Sequence, residues 1–192
     1  MPSFYDFLQN FPRERRTEMA ASATAEQVQA ALRKDVLRPD DFMALLSPAA
    51  AHFLEQMAQR SRELTLRSFG RAVNIFSPLY ISDICTNHCR YCGFSADNHQ
   101  KRRHLSVDEA AAEAFALADA GIGHVLLLTG DARHIASPQY IADVAARIKP
   151  RFASVSVEVY ALTLDEYRLL IDSGVDSITM FQETYQQDLY EW

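Results

Sequence analysis

No stretch of the sequence approaches the roughly 20 apolar residues that a membrane-spanning helix needs. Met1 to Arg16 alternate aromatic, acidic and basic side chains where a secretory signal would carry an apolar core. No membrane partner is expected, and a cytoplasmic protein is. Positive charge is also in short supply: 19 Lys and Arg against 25 Asp and Glu give a net charge of −6. Apart from the short run Lys101-Arg102-Arg103 the basic residues are scattered, so the electrostatic footprint of a nucleic-acid binder is missing. Cysteine is scarce as well, with Cys85, Cys89 and Cys92 making up all three. An odd, tightly grouped set cannot staple a large fold, and metal chemistry explains it better. Otherwise the composition is ordinary, 48% hydrophobic and 23% charged over 192 residues, enough for one sizeable core.

Up to residue 70 the pattern is helical. Thr24 or Ser22 caps a helix running to about Leu37, Pro39-Asp40-Asp41 breaks it, and Asp41 to Leu46 forms a short turn of helix. Ser47-Pro48 then opens a longer helix carrying Phe53, Leu54, Met57, Leu64 and Leu66, with Gly70 as its stop. From Asn74 the pattern changes to short apolar runs between capped helices. The expected strands are Asn74 to Ser82, His124 to Leu128, Val155 to Tyr160 and Ser177 to Phe181. Capping boxes at Ser106-Val107-Asp108-Glu109 and Thr163-Leu164-Asp165-Glu166, and Ser137-Pro138, open the helices between them, with Gly121 and Gly174 as stops.

A βαβαβαβ order with one helix per crossover implies a parallel α/β sheet, and its regularity favours a barrel over a doubly wound sheet. A closed (β/α)8 barrel of the TIM type takes about 250 residues. The expectation is therefore an N-terminal helical extension, residues 1–70, and the first half of such a barrel, residues 71–192, cut after Trp192.

Cys85-Thr86-Asn87-His88-Cys89-Arg90-Tyr91-Cys92 spells CxxxCxxC in the loop after the first barrel strand, at the end of the barrel where active sites lie. Three thiolates so spaced can ligate three irons of a cubic [4Fe-4S] cluster and leave the fourth open. On spacing alone the alternative is structural zinc, which would need His88 or His99 as a fourth ligand. Glu158 alternates in phase with Ser156 and Tyr160 and out of phase with Val155, Val157 and Val159. It faces either the barrel interior, where a glutamate requires a ligand or partner, or the helix layer in a salt bridge.

CxxxCxxC with an aromatic before the last cysteine resembles the signature of radical S-adenosylmethionine enzymes. The wider set Ala44 to Ala50, Pro78 to Ser82, Tyr91 to Phe94, Leu126 to Gly130 and Phe181 to Tyr185 is similar to the 2-iminoacetate synthase family, the tyrosine lyases of bacterial thiamine biosynthesis. The resemblance implies a [4Fe-4S] cluster on Cys85, Cys89 and Cys92 and bound S-adenosyl-L-methionine, whose reductive cleavage starts radical chemistry on L-tyrosine. The products implied are p-cresol and 2-iminoacetate (dehydroglycine), the latter passed to a thiazole synthase. Thr129-Gly130-Asp131 stands where the family has Thr-Gly-Glu, which implies contact with the methionyl ammonium through a carboxylate one methylene shorter; alone, such a triplet is a turn with a helix cap. Glu158 is assigned to the ribose or ammonium of the cofactor. Tyr91 and Phe94 flank its adenine or plug the cluster's surroundings. Gln182, Glu183 and Tyr185 face the site, and Lys101-Arg102-Arg103 either docks an acidic, flavodoxin-like electron donor or is a solvated loop.

The rival readings are a hydrogenase-maturation tyrosine lyase, which carries a second cluster near its C-terminus, other enzymes resembling biotin synthase or the deazaflavin-cofactor synthases, and a non-catalytic metal-binding module. An open half-barrel exposes strand edges and an apolar face. Residues 1–192 alone are therefore expected to express poorly; a cooperative, monomeric thermal melt would contradict this.

Overall fold

The computed structural model describes residues 3–186, 188 and 189, without the side chains of Tyr5 and Phe7; Trp192, the expected point of truncation, lies outside the described residues. The chain divides into two units, Met1–Ala72 and Val73–Trp192.

The first unit is helical: α1 (Phe4–Gln9), α2 (Arg13–Ser22), α3 (Ala25–Leu32), α4 (Pro39–Leu45), a 3-10 segment (Pro48–Phe53) and α5 (Leu54–Phe69). Of the two expected caps Thr24 is the one used, in a reciprocal capping box with Gln27, while Ser22 ends the preceding helix. α3 stops at Leu32, short of Leu37. Pro39 starts a helix and does not break one, since α3 has already ended: it forces Arg38 into an extended conformation and takes the first helical position, where its missing N–H costs nothing. Asp41 holds this start by accepting from the Arg38 N–H at 3.0 Å and from Lys34 Nζ at 2.5 Å. Ser47-Pro48 opens the 3-10 segment, which passes into α5. The small core is Val28, Ala44 and Ala50, with Phe53 and Met57 packed on it.

The second unit is β1 (Phe76–Ser82), α6 (Val107–Asp119), β2 (His124–Thr129), α7 (Pro138–Ile148), β3 (Ser154–Glu158), α8 (Leu164–Asp172) and β4 (Ser177–Thr179). The strands are parallel and lie in chain order, β1-β2-β3-β4, each crossover carrying a helix. This is a partial α/β barrel of the TIM type. Its helices start as their sequences dictate: Ser106 and Thr163 accept from the N–H groups of Glu109 and Glu166 in full capping boxes, and Ser137 caps α7 with Pro138 behind it. Gly174, at φ 94°, leaves α8 through a conformation closed to most side chains, and a Cβ there would also meet Lys149 Cγ at 2.8 Å.

β3 and β4 end earlier than Tyr160 and Phe181. Tyr160 is drawn off the strand line by a hydrogen bond from its hydroxyl to the Ala136 carbonyl, 2.5 Å, with the Arg133 guanidinium over its ring. With β3 finished at Glu158, which pairs with Thr179, β4 has no ladder to continue. Asp176 fixes its entry, its carboxylate accepting from the Val155 N–H at 2.8 Å and Lys149 Nζ at 2.6 Å.

Alternation along the strands separates two faces. Ile81, Val125, Leu127, Val155 and Val157 are buried against Ala110, Ala111 and Ala114 of α6 and Ile141, Val144 and Ile148 of α7. The opposite face carries Phe76, His124 and Ser154 in one row, Pro78, Leu126, Ser156 and Ser177 in the next, and Tyr80, Leu128, Glu158 and Thr179 nearest the carboxyl ends. Glu158 therefore lies on the face away from the helices.

Tyr140 of α7 reaches across to the end of β1. Its hydroxyl donates to the Leu105 carbonyl at 2.6 Å and to that of Ile81 at 3.2 Å, and burial pushes its pKa up to about 12. Replacing it by phenylalanine leaves the Leu105 carbonyl without this donor, so Tyr140→Phe is expected to cost about 1–2 kcal/mol, read as a lower urea midpoint at unchanged m-value.

Candidate functional site

From Asp83 to Ser106 the chain runs without regular structure except for one antiparallel bridge between Ser82 and His104. A loop of this length in a compact unit must be held by bonds of its own. The exit of β2 supplies the first set. The Gly130 N–H donates to the Ser82 carbonyl at 2.9 Å. The Asp131 carbonyl accepts from the Thr86 N–H at 2.9 Å and the Thr86 hydroxyl at 2.8 Å, and its carboxylate accepts from Asn87 Nδ2 at 3.1 Å. A Cβ at position 130 would lie 2.3 Å from the Ile84 carbonyl oxygen and 2.9 Å from Cys85 Cβ, so only glycine lets the two strand exits meet. Thr129, Gly130 and Asp131 are thus brought against the cysteine loop. Asp131 Oδ2 is the carboxylate oxygen that bonds to Asn87.

Within the loop the N–H of Asn87 points at Cys85 Sγ, 3.5 Å, and that of Phe94 at Cys92 Sγ, 3.4 Å. Burial pushes the Cys89 thiol up, and the neighbouring Cys85, Cys92 and Glu183 push it further. The Cys89 sulfur thus sits in the field of its two neighbours, a repulsion that a cationic metal centre would relieve. Among the described residues no three His, Cys, Asp or Glu side chains converge as a single ion requires. The donor set, three thiolates on one loop, has the chemistry of a cluster's ligands, each thiolate bound to a separate iron. His88, one proposed fourth zinc ligand, is paired through Nδ1 with Asp97 at 2.8 Å.

The two aromatics take different neighbours. Phe94 meets Tyr80 of β1 edge-on, centroids 5.3 Å apart at 71°. Tyr91 is 68% exposed, and the neighbouring Glu183 carboxylate raises its phenol pKa. Glu183 is thereby brought to the loop, while Gln182 Nε2 bonds locally to the Thr184 carbonyl at 2.8 Å. Tyr185 is exposed. Glu158 makes no ion pair among the described residues, so the salt bridge toward the helix layer is not formed.

The run Lys101-Arg102-Arg103 does not act as a unit. The Arg102 guanidinium, half-buried, is directed into the loop onto backbone carbonyls. Arg103 pairs through its backbone with Asp83, its N–H donating to Oδ1 at 2.6 Å. Asn98, unassigned by its sequence, donates from Nδ2 to the carbonyls of Cys92 and Gly93, both at 3.1 Å. Their signal in the sequence is faint: polar residues in a long stretch whose carbonyls have no ladder to join. Two hydroxyls at the strand exits, Ser82 Oγ and Thr129 Oγ1, are buried without hydrogen-bond partners, and their Cα atoms are register partners across β1 and β2. Unpartnered buried hydroxyls mark a place for a water or ligand.

Comparison with known proteins agrees with this geometry. The 2-iminoacetate synthase of Escherichia coli (strain K12) is 41% identical over 167 residues, 87% of this chain and 44% of that protein. The chain thus spans less than half the length of this relative. The crystal structure of HydG, a maturase of the [FeFe]-hydrogenase, superposes with a TM-score of 0.85 at 27% identity, covering 96% of this chain and 44% of that one. Methylornithine synthase (PylB) shares the fold, with a TM-score of 0.70 at 21% identity over 86% of this chain and 50% of that one. The family model of the radical SAM superfamily matches residues 79–192, from the middle of β1 through the cysteine loop and all the strands that follow, and the chain belongs to that superfamily.

Proposed function

We propose that the complete protein is a tyrosine lyase that cleaves the Cα–Cβ bond of L-tyrosine to 2-iminoacetate and p-cresol for the thiazole of thiamine. The observation that carries this reading is the 41% identity to 2-iminoacetate synthase over 87% of the chain, a span that includes more than the cysteine motif common to the superfamily. Enzymes of the superfamily use a [4Fe-4S] cluster and S-adenosylmethionine. When bound, this pair supplies one-electron cleavage of a sulfonium carbon–sulfur bond. The protein's part is to hold and orient. Cys85, Cys89 and Cys92 hold three irons as thiolates. Thr129 and Gly130 offer backbone groups to the methionyl ammonium, and Asp131 offers it the charge of its carboxylate. Glu158 holds the ribose from the inner sheet face, and Tyr91 and Phe94 flank the adenine. Residues 1–70 are a helical extension to the barrel that begins at residue 71. A thiazole synthase takes the imine, a flavodoxin-like protein supplies the electron, and the setting is the cytoplasm.

The TM-score of 0.85 with HydG favours a second reading, a hydrogenase-maturation tyrosine lyase, which carries a further cysteine cluster near its C-terminus. Metal analysis of the anaerobically purified complete protein should find iron and sulfide, and zinc alone would reject the radical chemistry. With reductant, S-adenosylmethionine and tyrosine it should form 5′-deoxyadenosine and p-cresol. Deoxyadenosine without p-cresol would reject the substrate, and iron beyond one cluster per chain would favour the second reading.

Gly130→Ala tests the loop's seat. Its methyl group would sit 2.3 Å from the Ile84 carbonyl oxygen, an overpacking worth about 1–3 kcal/mol. The variant is expected to fold but to retain less iron than the wild type in a colorimetric assay, and full retention would contradict the role given to Gly130.

A further inference from the structure

We propose that Arg102 is the positioning residue of the cysteine loop, holding it in the form that receives the cluster and tuning the cluster's reduction. This inference rests on the cluster reading above. Arg102 Nη1 donates to the carbonyls of Asp83 at 2.9 Å and Phe94 at 3.1 Å, and Nη2 to those of Ser95 at 2.7 Å and Asn98 at 3.3 Å. Asp83 precedes the first cysteine, and the other three residues follow the last. One guanidinium therefore ties the two ends of the cysteine segment together, just inside the closure that the Ser82–His104 bridge and the Asp83–Arg103 bonds make at its base.

The planar fork suits the task. Arginine presents five N–H donors in a fixed plane and stays charged, whereas lysine offers a point charge that cannot span four carbonyls with the same directions. Without Arg102 these carbonyls would lose a charge-assisted partner in a half-buried loop.

Phe94 links the staple to the sulfurs. Its carbonyl is held by Arg102, and its N–H donates to Cys92 Sγ at 3.4 Å. Fixing one side of the residue fixes the other. Hydrogen bonds to cluster sulfurs and nearby positive charge raise reduction potential, so loosening Phe94 and removing the guanidinium both act in the same direction, toward a cluster that is harder to reduce.

The test compares wild-type, Arg102→Ala and Arg102→Lys forms of the complete protein after anaerobic reconstitution. Arg102→Ala should hold its iron about 10- to 100-fold more weakly against a chelator, the usual size for loss of a residue supporting a metal ligand. Its cluster should have a more negative midpoint potential in an EPR-monitored titration. Millimolar guanidinium should restore iron retention and ammonium should not, and Arg102→Lys should recover little. Unchanged retention and potential in Arg102→Ala would overturn the proposal. So would a loss of iron that tracks a lowered urea midpoint of the apo-protein without guanidinium rescue, because Arg102 would then be a general element of the fold. A wild-type protein without iron would defeat the cluster reading alone. Hydrogen exchange of residues 84–98 in the apo-protein then decides the loop role: faster exchange in Arg102→Ala supports it, equal exchange refutes it.

Discussion

The site depends on the contact between two strand exits. Where β1 ends and the cysteine segment begins, the Ile84 carbonyl occupies the space that a side chain on residue 130 would fill. This lets the chain leaving β2 donate from Gly130 to Ser82 and accept at Asp131 from Thr86. The cysteine loop is thus suspended from its neighbouring strand before any metal contributes. Arg102 and Asn98 hold its other end by the same means, backbone carbonyls satisfied by side chains. Flexibility lost here is supplied by bonding at fixed points, and the sulfurs inherit their positions from that frame.

The sheet beneath it is asymmetric. Its helix-side face is a continuous apolar layer from Ile81 to Val157. Its other face changes character across the strands, with Pro78, Leu126 and Leu128 on β1 and β2 giving way to Ser156, Glu158, Ser177 and Thr179 on β3 and β4. Ser156 and Ser177 share a hydrogen bond of 2.7 Å across that polar part. A ligand lying over this face would meet an apolar wall on one side and hydrogen-bonding groups on the other, suited to an amphipathic molecule.

The alternation Val155-Ser156-Val157-Glu158 and the capping residues Ser106, Ser137 and Thr163 made the strands and helices of the barrel readable, because period and cap chemistry are local. The cysteine spacing was readable for the same reason. The face taken by Glu158 was not, since alternation separates two faces without saying which one the helices cover; the burial of the valines decides it. Arg102, Asn98 and Asn87 escaped because they act on backbone carbonyls or on a partner far along the chain, and no residue pattern announces such targets. Arg102 was further hidden by its neighbours, which make it look like part of a charge cluster. Pro39 was read as a break because its other use, at the first position of a helix, depends on where the following residues go.

The proximity of Glu183 to Tyr91 and Cys89 joins the loop after the first strand to the chain after the fourth. Glu183 reaches its place only once β4 has docked on β3, which in turn requires the intervening β/α pairs. The cysteine segment is made early in synthesis and gains this neighbour later. Its closure is therefore a nonlocal event, and the interval before it leaves the three thiols open on one side while the rest of the sheet is still being assembled.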